Sequence, residues 1–283
     1  MRSILINNKV KLLDKRVRNE FGKFISVIGT IFSFGLIFFE IPSEYKVCAS
    51  VLFGISMVIV YFSIWRYANR QTSVELKING SSIQIKTGNI FDQDGFKVIP
   101  FNEFFDTQVD DRIINRLSLN GQFIENYVDD IEELNERIRL DSDLNDSCNI
   151  IETDVTRGGN KIRYKLGSIF VTGEFLLTAL SRFSKKNEAY LNIHEYVNFL
   201  IYFWDEINRV YAQKSVSVPI FGSGITRFKN GFESIDENEL LSIMIWTFKI
   251  SKMKFAYPAK LSIIVHEDKI DKINVFSLKE EED

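Results

Sequence analysis

Val216-Ser-Val-Pro-Ile-Phe-Gly-Ser-Gly-Ile-Thr-Arg-Phe228 is a short apolar run that breaks into glycines. The run reads as a buried strand that stops at Gly222-Ser223-Gly224, and a helical pattern follows from about Asp236 to Ser251. A strand ending at glycines presents unshielded backbone N–H groups at the carboxyl edge of a sheet, a cradle suited to phosphate or pyrophosphate. Ser223 and Thr226 add hydroxyls and Arg227 adds a fixed charge. The same tripeptide also serves as a plain turn, so the rest of the chain decides between the two.

Working outward, residues 71 onward read as α/β. Val74–Ile78 and Ser82–Lys86 alternate at period two around Asn79-Gly80, the signature of a tight hairpin. Gly88-Asn89-Ile90-Phe91 comes next, then a strand over Phe96–Phe101 and the turn residues Asn102–Thr107. Helical periodicity runs from about Ser118 to Arg139, with Phe123, Tyr127, Ile131, Leu134 and Ile138 along one side. Residues 141–165 are polar and read as a mobile loop or irregular hairpin. Ser168–Thr172 and Phe175–Ser181 are further strands, and an amphipathic helix spans about Asn192 to Tyr211. Leu261–His266 and Ile273–Leu278 are expected to close the sheet, and the acidic tail Glu280–Asp283 to fray.

The N-terminal part is of another kind. Residues 1–23 form a basic tail, with Arg2, Lys9, Lys11, Lys15, Arg16, Arg18 and Lys23 against Asp14 and Glu20. Phe24–Ile41 is apolar but for Glu40, and Val47–Trp65 carries no charge. At about 1.5 Å per residue the second run crosses a hydrocarbon core of roughly 30 Å. Pro42–Lys46 makes a polar turn between them, and Arg66 and Arg70 restore positive charge afterwards. Basic flanks on both outer sides place both termini in the cytoplasm. The expected organisation is therefore a basic tail (1–23), a transmembrane hairpin (24–70) and a cytosolic domain (71–283). Two helices enclose no pore, so membrane damage would need a homo-oligomer. Small residues recur in both spans, at Ser26, Gly29, Thr30 and Ser33 and at Ser50 and Gly54, and suit close packing within or between chains.

The 283 residues carry a net charge of −3 and are 45% hydrophobic, which gives no support for nucleic-acid binding. Cys48 and Cys148 stand in unlike settings, and His194 and His266 lack ligand spacing, so neither a disulfide framework nor a metal site is expected. No Ser/His/Asp or Cys/His arrangement appears, and Asp110-Asp111 reads as a helix cap rather than acid/base machinery. We expect no catalysis.

The order of segments resembles a macro domain, the α/β module that binds ADP-ribose. In that family one strand ends in Gly-Asp-Ile, a second at an asparagine facing the distal ribose, and a late glycine loop holds the diphosphate. Gly88-Asn89-Ile90, Asn102 and Gly222–Thr226 stand in those places, with Asn89 where the family has an acid. The whole chain is similar to the transmembrane-macro effectors of type II Thoeris, a bacterial anti-phage system. Ile99–Thr107, Ser118–Phe123, Ala179–Phe183 with Ala189-Tyr190, and Val218–Arg227 carry that resemblance, behind the two spans. It implies an N-terminal transmembrane α-helical hairpin followed by an α/β macro-like domain, a mixed sheet between helices. It also implies an inner-membrane protein that binds a histidine conjugate of ADP-ribose made from NAD by a partner TIR-domain enzyme, then disrupts the bilayer so that infection aborts. A membrane-tethered enzyme that hydrolyses ADP-ribose derivatives is the alternative.

On this reading the glycine loop, Gly222, Ser223, Gly224, Ile225, Thr226 and Arg227, holds the diphosphate. Asn102, Asp106 and Gln122 are candidates for the ribose hydroxyls, and Ile90, Phe91 and Asn89 for adenine. Glu103 or Asp106 would meet the amine of a histidine moiety, and Arg182 a phosphate or carboxylate, or else a structural salt bridge. Gly224→Glu and Arg227→Glu are both expected to abolish signal-triggered toxicity.

Overall fold

The computed structural model describes residues 9–184 and 188–281. The start of the basic tail, Arg2 included, and the end of the acidic tail lie outside the described residues. The chain divides into two units, one formed by Met1–Val74 and Asp271–Glu280 and the other by Glu75–Ile270 and Glu281–Asp283.

In the first unit Asp14 opens a helix, its carboxylate accepting the Arg16 N–H at 2.9 Å. Helix α1 (Lys15–Phe38) and helix α2 (Ser43–Arg70) are longer than the apolar runs within them, so the second half of the basic tail is helical. Both are long and apolar enough to cross a membrane. Val27, Ile31, Phe34, Ile37, Phe38 and Val47 are all exposed, far more apolar surface than a water-facing helix carries. The hydroxyls inside these helices are satisfied within their own backbone: Ser26 donates to Gly22 O, Thr30 to Ser26 O, Ser50 to Lys46 O and Ser63 to Ile59 O. That self-satisfaction is what an apolar solvent demands of a polar side chain. Phe32 and Phe53 meet edge to face at 5.6 Å across the two helices. A Cβ at Gly29, Gly35 or Gly54 would meet nothing within 4 Å, so these glycines serve no close approach inside the hairpin.

In the second unit Asn79 and Gly80 adopt left-handed backbone (φ 54° and 77°), the conformation a two-residue hairpin turn requires. They join β1 (Ser73–Ile78) to β2 (Ser81–Thr87). The following elements are β3 (Phe96–Asn102), α3 (Leu119–Tyr127), α4 (Ile131–Leu140), β4 (Ile150–Glu152), β5 (Arg163–Tyr164), β6 (Ile169–Thr172) and β7 (Phe175–Phe183). Then come β8 (Ala189–Leu191), α5 (Ile193–Val210), β9 (Val216–Pro219), β10 (Arg227–Phe228), α6 (Glu237–Ser251) and β11 (Leu261–Val265). The main sheet is mixed, in the order β1-β2-β11-β9-β3-β7-β8-β10, with β6 antiparallel on β7. From β2 to β7 each neighbouring pair is parallel. Ile99 and Phe101 of β3 and Phe175, Leu177 and Ala179 of β7 share one core with Phe123, Leu134 and Ile138 from α3 and α4. The alternate residues Val98, Leu176 and Thr178 are buried as well. Both faces are therefore covered, as a parallel sheet requires. Helix α5 packs on β6 and β7 and against α6, where Trp204 Nε1 donates to Thr247 Oγ1 at 3.1 Å.

Two expectations are corrected. The helical run 118–139 breaks in two because the Asp130 carboxylate accepts from the N–H groups of Glu132 and Glu133 and restarts the helix. Residues 273–278 form no strand. Both edges of β11 are already taken by β2 and β9. The segment instead makes two short helical runs, Glu267–Lys272 and Val275–Glu281, with Val275 and Leu278 three apart and buried. The polar stretch 141–165 holds the small antiparallel pair β4–β5.

Candidate functional site

Because β2, β11, β9, β3 and β7 run parallel, their carboxyl ends emerge along one edge. A cavity of about 740 Å³ opens there. Each strand delivers a piece of its lining: Gly88-Asn89-Ile90 after β2, His266, Glu267 and Lys269 after β11, and Ile220–Thr226 after β9. Asn102 comes from the end of β3, and Leu180, Ser181 and Phe183 from that of β7. The loop and first turn around α3 add Asn115, Ser118, Asn120 and Gln122. A crevice at the carboxyl edge of parallel strands is where such sheets take their ligands, and the volume lies in the usual range for small-molecule sites.

The glycine loop is braced from behind. Tyr196, fully buried on α5, donates its hydroxyl to the Phe221 carbonyl at 3.0 Å. Burial pushes its phenol well above its ordinary value, so it remains a donor. Gly222 has φ +80°, and a Cβ there would sit 2.8 Å from the Phe228 ring, so glycine is required. Ser223 turns back on the strand, its N–H and Oγ both donating to the Ile220 carbonyl. Among the described residues the N–H groups of Gly224, Ile225 and Thr226 donate to no backbone carbonyl. These three successive residues line the cavity, so their N–H groups are available there. Lys269 adds a cation, donating Nζ to the Ser223 carbonyl with Glu237 Oε1 3.6 Å away.

Asn89 lies exposed at the cavity, where its Oδ1 accepts the Phe91 N–H at 3.1 Å and keeps a second lone pair for another donor. Ile90 is buried in the core and lines the cavity wall. Phe91 does not line it: its ring stacks on Tyr127 at 5.0 Å. A register shift between Phe101 and Asn102 marks a bulge against β7 at the point where the strand meets the cavity. The carboxamide of Asn102 is locked there, Nδ2 donating to Asp106 Oδ2 at 3.0 Å and Oδ1 accepting the Phe104 N–H at 3.0 Å. Gln122 donates Nε2 to Leu117 O at 3.0 Å and is half-buried at the rim.

Four sequence candidates lie off the cavity. Asp106 is 1% exposed and takes both Nη groups of Arg157, at 2.8 and 2.7 Å, together with the Asn160 N–H. Glu103 is buried and paired with Arg182 at 2.8 Å, and Arg182 also reaches Glu195 at 3.0 Å. With Glu103 and Asp106 each engaged by an arginine, neither is left for a ligand amine. The Arg227 side chain is 71% exposed and pairs with Glu188 at 3.1 Å, because β10 lies beside β8 at the end of the sheet. Asp110 and Asp111 cap no helix: the cap of α3 is Ser118. The amides of Ile113 and Arg112 hold the Asp110 carboxyl below its ordinary range, and the Arg116 amide does the same for Asp111, so both stay ionised turn residues. Sequence reading missed Asn115, Ser118, Asn120, Glu267 and Lys269. Residues after a terminal strand carry no local signature of a site.

The loop formed by Asn115–Ser118 depends on Gly121, whose Cβ would lie 2.4 Å from Asn115 O and 2.8 Å from Arg116 Cα. Gly121→Ala is expected to cost about 2 kcal/mol, since backbone must move to admit the methyl group. Denaturant unfolding measures it, and a loss below about 0.5 kcal/mol, the range of an ordinary surface change, would contradict the packing described.

The family model described as "Thoeris protein ThsA, Macro domain" matches residues 83–266. A protein of Bacillus amyloliquefaciens (strain Y2) described as "Thoeris protein ThsA" is 41% identical over 279 residues, covering 96% of this chain and 92% of that one. A share so large takes in the apolar N-terminal helices. Among solved structures, an Oceanobacillus iheyensis macrodomain mutant aligns over 74% of this chain and 92% of its own at 13% identity and a TM-score of 0.45. Another mutant of it, solved with ADPR, aligns over 73% and 96% at 14% identity and a TM-score of 0.39.

Proposed function

The chain belongs to the Thoeris ThsA macro-domain family of anti-phage defence, and from that premise we propose that it is a ligand-gated membrane effector. The observation that carries the proposal is the cavity at the sheet's carboxyl edge, whose lining includes a lysine and three amides that donate to no backbone carbonyl among the described residues. Such a set of donors suits a diphosphate. At the other end Asn89 offers a lone pair to an adenine amine beside the apolar wall of Ile90. Asn102 and Gln122 supply neutral amides to ribose hydroxyls. The ligand is an ADP-ribose derivative, and a histidine conjugate produced by a partner TIR enzyme fits the reading. With Glu103 and Asp106 engaged elsewhere, Glu267 is the exposed acid on the cavity wall that would meet the histidine amine.

On this reading the two helices, long and apolar enough to cross a membrane, span the bacterial inner membrane with both basic flanks on the cytoplasmic side. Ligand binding drives assembly of several hairpins and loss of the permeability barrier. The driving energy is the difference in ligand affinity between resting and assembled states. The protein acts by binding and not by turnover.

Full-length protein in lipid nanodiscs, titrated calorimetrically with ADP-ribose and its histidine conjugate, tests this. Saturable binding with the nucleotide recovered intact by chromatography is the expected result. Conversion of the ligand would establish the hydrolase instead, and no heat with either compound would remove the ligand altogether.

A further inference from the structure

We propose that the segment Glu267–Leu278 is the output arm of the site: Lys269 reads the anion on the glycine loop, and the chain that follows carries the reading to the base of the hairpin. The inference rests on the ligand reading above.

Its first half lies in the cavity-bearing unit. Lys269 lines the cavity, and its ammonium is shared between the Ser223 carbonyl and the Glu237 carboxylate. The side chain is 26% exposed, so solvent does not fully hydrate it. The carbonyl offers this cation only a partial charge, and the Glu237 carboxylate stands 3.6 Å off, beyond hydrogen-bond contact. A phosphate oxygen at the same loop offers a full one, at the shorter distance typical of charge-assisted bonds. An anion seated on Gly224–Thr226 therefore draws Lys269 away from Ser223.

The second half lies in the other unit. Asp271 Oδ1 stands 3.7 Å from the Nζ of Lys9, a lysine side chain only 7% exposed. Phe276 packs with Val10 ahead of α1, Val17 in its first turn and Ala68 near the end of α2, and Tyr61, Ile64 and Trp65 pack against that cluster. Ile273, Val275 and Leu278 are buried too. Residues 273–278 are thus anchored by apolar side chains.

The two halves are one piece of chain. The helical run Glu267–Lys272 contains both Lys269 and Asp271, two residues apart. Lys269 is thus tied to Asp271 through the chain itself, and that covalent link is the route by which the proposed arm carries a pull on Lys269 onward. The sequence alone hides this, because the segment reads as a closing strand.

The experiment uses the full chain in dye-loaded vesicles, with the histidine conjugate of ADP-ribose as probe. Binding and dye release are recorded for the unmodified chain and for a Gly-Gly-Ser insertion between Ile270 and Asp271. The insertion is expected to bind within about threefold of the unmodified chain and to release dye at least tenfold more slowly. Release at the original rate would overturn the output role. Lys269→Met is expected to raise Kd at least tenfold, and unaltered affinity would overturn the sensing role. Should the insertion fail to enter vesicles, Asp271→Lys supplies the measurement: slowed release at unaltered affinity, restored by adding Lys9→Glu. Lack of effect from Asp271→Lys would count against the arm. Absence of binding by the unmodified chain would remove the ligand reading itself, an outcome separate from any produced by the insertion.

Discussion

Arg157→Met is expected to destabilise the protein by about 3–5 kcal/mol, the cost of leaving one partner of a buried ion pair without the other. Asp106 is 1% exposed and accepts from two guanidinium nitrogens of Arg157, the Asn160 N–H and the Asn102 amide. The guanidinium also stacks 4.0 Å above the Phe104 ring, so methionine keeps some of the packing and the loss reports chiefly on charge. Against a typical net stability of about 5–15 kcal/mol this is a large fraction. The damage should reach the cavity, because Asp106 is what holds the carboxamide of Asn102. Denaturant unfolding and ligand titration on the same variant read both effects. The double variant Arg157→Met/Asp106→Asn should recover part of the stability, since no lone charge is left buried. A single-variant loss under about 1 kcal/mol, the value of an exposed pair, would show that the clasp is not what secures the loop.

Gly224→Glu is expected to weaken ligand binding at least 100-fold, about 2.7 kcal/mol, and to abolish signal-triggered toxicity. A side chain at this position meets nothing within 4 Å, so the fold has no reason to yield. What changes is the cavity: a carboxylate stands where the amides await an anion, and like charges at contact distance repel strongly away from bulk water. Unaltered unfolding with lost binding is the expected pair of results. Binding within threefold of the unmodified protein would place the ligand elsewhere. Arg227→Glu serves as the contrast. Its side chain points to solvent and pairs with Glu188, an exposed salt bridge worth at most about 1 kcal/mol. The structure therefore revises the sequence expectation that both substitutions silence the protein: Arg227→Glu should bind and signal almost normally.

The two substitutions differ in a way the linear chain conceals. Gly224 and Arg227 sit three residues apart in one motif and read as one anion site. In space the chain turns between them, and Arg227 joins β10 beside β8 while Gly224 stays over the cavity. Glu103 and Asp106 tell the same story from the acid side. Their position just past a strand end looks like a ligand site, yet each is buried against an arginine. Arg157 comes from the polar stretch 141–165, where periodicity and propensity mark no partner at all.

Local chemistry sufficed for the hairpin of apolar helices, the Asn79-Gly80 turn, the strands over 96–101 and 175–181, the helix ending near Tyr211, and the glycine loop after Val216–Pro219. Each is set by near-neighbour effects: side-chain period, caps, turn residues and unbroken apolar length. Tertiary structure alone decided which charges face the cavity and which pair away from it, and that the last apolar segment forms helical turns instead of a strand. Those outcomes depend on which strand edges are already occupied and which distant side chain reaches a buried charge first. Such competition is settled by long-range contact, and no short window of residues records it.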